Sequence, residues 1–205
     1  GKNILLDCGM FQGMGKETFD LNNNWGFDPT EVDIVVISHA HIDHIGLLPK
    51  LVKDGYKGKI YCTDASEDLM KLLLQDSAHI QESDVRYVNK NRTKQGRELV
   101  EPLYTEDDAM EVFSLLETLP YNQKTEIGDG VTLMYTDCGH IVGSAAVHLT
   151  INEEGKDVRI TFSGDIGRYR DVILRSPETF PQADYILIES TYGDKLHESS
   201  AATTD

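Results

Sequence analysis

Six consecutive residues, His39-Ala40-His41-Ile42-Asp43-His44, place three imidazoles and one carboxylate in a single short segment. These groups are ligands that suit zinc, manganese or iron, and a catalytic ion needs them clustered with one coordination position left open. A chain with this segment must fold so that its flanks meet around a polar centre. The segment therefore predicts a metal site, which we favour over a polar loop that holds histidines by coincidence.

The flanks of this segment predict a strand followed by a helix. Residues 32–37 form an apolar run rich in β-branched residues, typical of a strand buried on both faces, and Ser38 ends it. Downstream, apolar residues fall at helical spacing, with Pro49 near the first turn and Gly55 as a stop. In a strand-to-helix loop, His39 and His41 project to one side, while Asp43 and His44 point elsewhere. Two adjacent metal ions are the expected result.

Composition predicts a globular chain in a reducing compartment. The 205 residues are 40% hydrophobic, without an apolar run long enough to span a membrane and without a signal peptide, so we expect a soluble, cytoplasmic protein. The three cysteines lack a Cys-x-x-Cys pair, which favours free thiols. Cys138 lies two residues before His140, but a small buried side chain is the favoured interpretation over a metal ligand.

The net charge of −16 argues against a broad polyanion-binding surface, although bound metal would neutralise part of it. A local basic cluster does exist. Tyr87 lies within it, and a solvated helix face would show the same pattern. Its members are Arg86, Lys90, Arg92, Lys94 and Arg97.

The rest of the chain is predicted to be α/β. Helical spacing predicts one long helix or two joined ones from Ala65 to about Val88, then a surface excursion over 89–101. Thr105 and Asp108 resemble a capping box for a helix that runs until Pro120. Apolar and alternating runs predict further strands at 4–6, 59–63, 131–135, 145–151, 158–162 and 185–188.

Two further residues can complete a two-metal site. His140 lies between two predicted strands, and Asp165 directly follows one. Alone, each is commonly a loop or turn residue. Beside the histidine-rich segment, their places at strand ends predict that both bind metal.

These residues resemble the metallo-β-lactamase superfamily, whose hallmarks are an early aspartate, the His-x-His-x-Asp-His string, a later histidine and a later aspartate. The resemblance implies an αββα sandwich, here incomplete because the first strands and the C-terminal part are missing. It implies a first ion held by His39, His41 and His140, and a second held by Asp43 and His44 with Asp165 bridging. Asp7 matches the early aspartate, which orients ligands without binding metal.

Glu189, in the segment Glu189-Ser190-Thr191-Tyr192-Gly193, resembles the acidic motif of the β-CASP branch, which includes ribonuclease J and the mRNA 3′-end processing endonuclease. Segments 7–13 and 76–82 also resemble prokaryotic members. The resemblance implies an N-terminal fragment, with a partial metallo-β-lactamase-like domain at 1–195 and the start of a truncated insertion or a tail at 196–205. Two further histidines would follow such an insertion. His148, in a strand, and His197, in the tail, are not substitutes for them, and helical His79 is expected to pack or hydrogen-bond.

The branch implies a phosphodiester hydrolase that acts in RNA processing or degradation and attacks with a hydroxide bound by two divalent ions. Zinc is the expected metal, with manganese as the alternative. Asp43 would accept the proton of that hydroxide, and Glu189 would help to protonate the leaving oxygen. RNA is the expected substrate, with DNA and a homodimer left open. The alternative is a small-molecule hydrolase acting on thioesters, lactones or β-lactams. A non-catalytic subunit is disfavoured by the intact ligands, and the fragment alone is expected to turn over weakly.

Overall fold

The computed structural model describes residues 1–13 and 15–194, which form two sheets and five α-helices. The helices are α1 (Lys16–Asn23), α2 (Ile42–Ile45), α3 (Leu48–Lys53), α4 (Asp64–Lys94) and α5 (Glu106–Phe113). The strands are β1 (Ile4–Leu6), β2 (Ile34–Val36), β3 (Lys59–Cys62), β4 (Leu116–Thr118), β5 (Thr125–Gly128), β6 (Val131–Asp137), β7 (Ala145–Glu153), β8 (Lys156–Phe162) and β9 (Tyr185–Leu187). Residues 196–205, predicted to begin an insertion or a tail, lie outside the described part.

The first sheet is parallel, with strand order β1-β2-β3-β4. Its central strand β2 is buried on both faces because its side chains alternate between two apolar clusters. Val35 belongs to an apolar cluster that also contains residues of α3, α4 and α5, whereas Ile34 and Val36 belong to the cluster shared with the second sheet. This arrangement explains the continuous apolar run that the sequence shows before Ser38.

The second sheet joins β5 to β9 in sequence order, with antiparallel pairs from β5 to β8 and a parallel pair between β8 and β9. Its inward residues include Leu133, Tyr135 and Val147, which are fully buried against the first sheet. The hydroxyl of Tyr135 donates a hydrogen bond to the carbonyl oxygen of Tyr61 across this layer at 2.9 Å. The two sheets therefore pack face to face.

The helices, the first sheet and the second sheet form three stacked layers, so the predicted α/β fold class is confirmed. The strand ends of both sheets that carry the histidines meet at one edge. None of the helices within 1–13 and 15–194 is long and apolar enough to cross a membrane.

Two expectations about secondary structure were wrong. The helix that begins at the confirmed capping box of Thr105 and Asp108 ends at Phe113, and Leu116–Thr118 forms strand β4 beside β3. The backbone N–H of Ile60 donates to the carbonyl oxygen of Leu115, so pairing across the sheet overrides the helical spacing. The excursion predicted at 89–101 is helical as far as Lys94, and β5 was not anticipated.

Candidate metal centre

Loops at the ends of β1, β2, β6 and β8 bring the predicted ligands together. Asp7 follows β1, and the histidine-rich segment runs from the end of β2 into α2. His140 lies in the β6–β7 loop, and Asp165 lies three residues beyond β8. The structure thus assembles residues that are far apart in the sequence at one edge of the sandwich.

Three ring nitrogens converge in the first group of ligand atoms. Nε2 of His39 lies 3.0 Å from Nδ1 of His41, which lies 3.2 Å from Nε2 of His140. Oδ2 of Asp165 is 3.5 Å from the His140 nitrogen and 3.9 Å from the His39 nitrogen. When two nitrogens bind the same tetrahedral zinc ion, each at about 2.0 Å, they lie about 3.3 Å apart. The observed nitrogen–nitrogen distances therefore fit a shared divalent ion. The His/Asp cluster is therefore able to bind metal.

The second group lies on the other side of Asp165. Nε2 of His44 is 3.4 Å from Oδ1 of Asp165 and 3.9 Å from Oδ2 of Asp43, whose side chain is 60% exposed. Asp165 thus directs one oxygen to each group. Its carboxylate therefore lies between the two groups.

Asp7 supports both groups from behind. Its Oδ1 accepts the backbone N–H of Ser38 at 2.7 Å, and its Oδ2 accepts the Ser38 hydroxyl at 2.6 Å. The same Oδ2 lies 2.6 Å from Nδ1 of His44, which leaves Nε2 to face Asp43 and Asp165. The Ser38 hydroxyl also lies 3.0 Å from Nδ1 of His39. Such outer partners fix the orientation of ligating imidazoles.

The loop that carries His140 is shaped by short polar bonds. The Ser144 hydroxyl accepts the backbone N–H groups of His140 and Ile141, at 3.0 and 3.2 Å. Gly139 adopts a φ of 66°, which side chains disfavour, and its N–H donates to Oδ1 of Asp137 at 2.8 Å. These contacts hold the His140 backbone close to the histidine-rich segment.

The loops of His140 and Asp165 touch through a glycine. A Cβ atom added to Gly167 would lie 1.8 Å from the carbonyl oxygen of Gly139, so only glycine fits there. The N–H of Gly167 donates to the carbonyl oxygen of Cys138 at 2.8 Å, and Sγ of Cys138 donates to the carbonyl oxygen of Asp165 at 3.1 Å. Burial raises the pKa of Cys138 to about 11, so this thiol stays neutral and buried, as the sequence suggested.

The electrostatics of the two groups differ. Burial, with the His44 ring nearby, lowers the pKa of His39 to about 2, and burial also lowers the pKa of His140. Burial opposes a charge on His44 too, but hydrogen bonds to Asp165 and Asp7 outweigh it and raise the pKa of His44 to about 10. The hydrogen bond to His44 lowers the pKa of Asp165 to about 2 despite partial burial. His39 and His140 are thus uncharged and can bind a metal ion directly, whereas His44 must lose a proton before its Nε2 can bind one.

Glu189 is tied to the loop of Asp165. Its Oε1 accepts the backbone N–H of Ile166 at 2.6 Å, and its own N–H donates to the Ser163 hydroxyl at 3.1 Å. It also lines a cleft of about 910 Å³ that contains His140 and Asp165. The carboxylate therefore stands beside the candidate ligands, although 24 residues separate it from Asp165 in the sequence.

The same cleft is lined by two residues that sequence reasoning missed, Arg168 and Tyr169. Both are exposed, and Tyr169 retains 73% of its accessible surface. The sequence signal that could have identified them is the adjacent basic and aromatic residues that begin three positions after Asp165. Their side chains are suited to contact phosphate and nucleobase groups.

The remaining described histidines lie elsewhere. His79 is exposed on α4 and pairs with Glu106 at 2.9 Å, as expected of a hydrogen-bonding residue. His148 is buried between the hydroxyls of Thr136 and Thr161, at 2.8 and 2.9 Å. His197 lies outside the described residues.

Comparison with known proteins places this geometry in a family context. A family model described as the metallo-beta-lactamase superfamily matches residues 1–194. Ribonuclease TTHA0252 from Thermus thermophilus is 36% identical over 197 residues, which cover 96% of this chain and 40% of that protein. Transcription termination factor FttA from Cenarchaeum symbiosum is 35% identical, over 94% of this chain and 28% of its own length. The chain therefore spans less than half the length of these curated relatives.

A solved structure also resembles the fold. The subclass B3 metallo-beta-lactamase MEM-A1, isolated from a soil metagenome library, aligns with 78% of this chain and 51% of its own, at a TM-score of 0.43 and 19% identity.

Proposed function

The chain belongs to the metallo-β-lactamase superfamily, and from this premise we propose that it is the metal-binding part of a β-CASP nuclease that hydrolyses phosphodiester bonds in RNA. The observation that carries the proposal is the convergence of His39, His41 and His140 around Asp165. One carboxylate oxygen of Asp165 faces these histidines, and the other faces His44. A relative named as a ribonuclease supports RNA as the substrate. Free, buried cysteines fit a reducing compartment, which supports a cytoplasmic location.

We assign the two groups of ligand atoms to two divalent ions. His39, His41 and His140 would hold the first, Asp43 and His44 the second, and Asp165 would contribute one oxygen to each. Ring nitrogens in the first group favour zinc, while the carboxylates of the second also suit manganese. Divalent ions in such a site lower the pKa of water to about 7 and offset negative charge on phosphate oxygens.

The chain's own residues divide the remaining work. Asp43 has an exposed carboxylate at the open side of the centre, where it can take a proton from attacking water. Glu189 has one oxygen engaged by Ile166, and its other oxygen can act toward the leaving group. Asp7 keeps the His44 ring oriented and does not itself bind metal in this assignment.

The cleft favours a nucleic acid over the small substrates of the alternative hydrolase. Arg168 can contact a phosphate, and the exposed ring of Tyr169 can stack on a base, both beside Asp165. DNA offers the same phosphates and similar bases, so the choice of RNA rests on the relative named as a ribonuclease.

The test is hydrolysis of a 5′-labelled single-stranded RNA by the zinc-loaded protein. We expect slow turnover from these 205 residues, so the assay uses excess protein in a single turnover. Chelation and the variant Asp165→Ala should each abolish cleavage. Parallel reactions contain a DNA of the same sequence, a β-lactam and a thioester. Hydrolysis of the β-lactam or the thioester, with RNA left intact, would contradict the proposal.

A further inference from the structure

The C-terminal half of α4 leaves the body of the protein. The buried residues of α4 are Ser66, Met70, Leu74 and Ala78, all in its N-terminal half, and no residue of the helix beyond Ala78 is buried. At 1.5 Å per residue, the four turns after Ala78 extend the helix by about 24 Å. The extension must therefore be stabilised by something other than the core.

A returning segment covers one face of the extension. The side chain of Asn89 donates to the carbonyl oxygen of Val100 at 2.9 Å and accepts the N–H of Val100 at 3.0 Å. Nε of Arg92 donates to the carbonyl oxygen of Glu98 at 2.5 Å. Val85, at helical spacing from both Asn89 and Arg92, is half-buried on the same side. This face is accounted for by structure alone.

The other face carries a basic stripe, which we define as Arg86, Lys90 and Lys94 together with Tyr87. Arg86, Lys90 and Lys94 follow one another at intervals of four residues, so they form one row along the helix. All four side chains are exposed, and Tyr87 retains 69% of its accessible surface. An aromatic ring in water beside three cations serves no packing purpose.

The charges of the stripe are largely unpaired. Nη1 of Arg86 lies 3.7 Å from Oε2 of Glu82, a loose pair that leaves most of the guanidinium free. Among the residues that the structure describes, the side chains of Lys90 and Lys94 make no hydrogen bond or ion pair. No acidic residue occurs between Arg86 and Arg97. In a chain with a net charge of −16, this is a local positive surface.

We propose that the basic stripe is an auxiliary binding site for single-stranded RNA, with the three cations on successive phosphates and Tyr87 stacked on a base. Charge complementarity selects a polyanion, and the exposed ring selects one that has bases. This inference rests on the proposed function, because it supplies a second contact for the same substrate.

The stripe lies far from the candidate metal centre. The Thr63 hydroxyl, at the start of α4, donates to the carbonyl oxygen of Gly143 in the loop of His140 at 2.6 Å. Lys90 is roughly 40 Å farther along the helix axis. An RNA that occupies both sites must span that distance, so the stripe should act on long substrates and not on short ones.

The experiment measures binding separately from cleavage. Fluorescence anisotropy follows nuclease-resistant RNAs of about 25 and about 4 nucleotides on the metal-loaded protein over a series of salt concentrations. The test variant is Arg86→Gln/Lys90→Gln/Lys94→Gln. The control Lys57→Gln/Lys124→Gln/Lys156→Gln removes the same charge from exposed lysines elsewhere.

The stripe variant should bind the long RNA more weakly and with a salt slope shallower by about 2, since each lost phosphate contact on a single strand removes about 0.7. Tyr87→Ala should weaken binding about tenfold with the slope unchanged. The control should match the wild type. Equal binding by the stripe variant and the control would overturn the proposal.

Two further readouts separate this proposal from the proposed function. Hydrolysis of bis(p-nitrophenyl) phosphate reports on the metal centre alone, and the stripe variant should leave it unchanged. Weaker RNA binding by the stripe variant, in a protein that hydrolyses no phosphodiester, would support the stripe and refute the nuclease. Loss of binding to phosphatidylserine vesicles with RNA binding retained would overturn the assignment to RNA in favour of a membrane.

Discussion

Asp7 and His44 form a pair in which a carboxylate oxygen lies 2.6 Å from Nδ1 of the imidazole. Asp7 has a φ of 57°, so it departs from strand geometry immediately after β1 and turns toward the histidine-rich segment. The pair fixes which His44 nitrogen faces Asp43 and Asp165. In the proposed assignment Asp7 is not a metal ligand, and it acts by orienting the His44 ring of the second group.

The Asp7→Asn variant tests this role. Asparagine tolerates the same φ, so the backbone should be retained while the charged partner of His44 is lost. We expect zinc affinity to fall by about 10- to 100-fold, the usual effect of removing an outer partner of a ligand. Competition with a chromophoric chelator measures the affinity. Asp33→Asn, which alters an exposed carboxylate bonded to the N–H of Asn3, is the control, and equal affinities in the two variants would refute the role.

The contact between Gly167 and Gly139 predicts that Gly167→Ala disrupts both loops at once. The added methyl group would overlap the Gly139 carbonyl oxygen, so the loops of His140 and Asp165 must separate. We expect a loss of stability above about 2 kcal/mol together with weaker metal binding. Urea unfolding and zinc titration are the measurements. Gly26→Ala, where the new methyl group meets open space, should behave as wild type, and a Gly167→Ala protein that also does so would show that the loops can move apart freely.

Glu189 is predicted to position the Asp165 loop as well as to assist the leaving group. Glu189→Gln keeps an oxygen that can accept the Ile166 N–H, whereas Glu189→Ala removes it. Zinc affinity should therefore be near wild type in the glutamine variant and about tenfold weaker in the alanine variant. RNA cleavage should fall in both variants if the carboxylate also serves the leaving group. Identical zinc affinities in the two variants would rule out the positioning role.

His148 predicts a pH dependence of stability. Burial between Thr136 and Thr161 lowers its pKa from 6.5 to about 4. Between these values the unfolded chain binds a proton that the folded chain does not, so the stabilisation is complete above pH 6.5 and declines as pH falls toward 4. His148 should account for a loss of about 2 kcal/mol between pH 7 and pH 5. Urea unfolding of the wild type and of His148→Gln measures the difference, and parallel pH profiles would exclude this origin.

The sequence predicted the candidate ligands and much of the fold because both depend on local patterns. The six residues 39–44 indicate a metal site by their side chains alone. Thr105 and Asp108 indicate the start of a helix because their hydrogen bonds are short-range. The strand that begins at Leu116 was not predicted, because it is defined by pairing with Ile60, which lies far away in the sequence. The helix runs past Val88 because Asn89 binds a segment that returns later in the chain.

The site was predictable to the same extent. Histidine and aspartate at strand ends are visible in a sequence, and the family resemblance assigned Asp7 its place. Arg168 lines the cleft because of the path that the β8–β9 connection takes after Asp165, which only the folded chain shows. Likewise, the exposed face of α4 that carries Lys90 is known only because the segment around Val100 covers the opposite face in the folded chain.

Metal binding by wild type and His140→Ala tests the central claim most directly. The proteins are stripped with chelator, reloaded with zinc, dialysed and analysed by mass spectrometry, and circular dichroism checks that both are folded. Two ions per wild-type chain are predicted, with the tighter one lost from His140→Ala, because His140 completes the first group with His39 and His41. Equal zinc content and affinity in the two proteins would contradict the account.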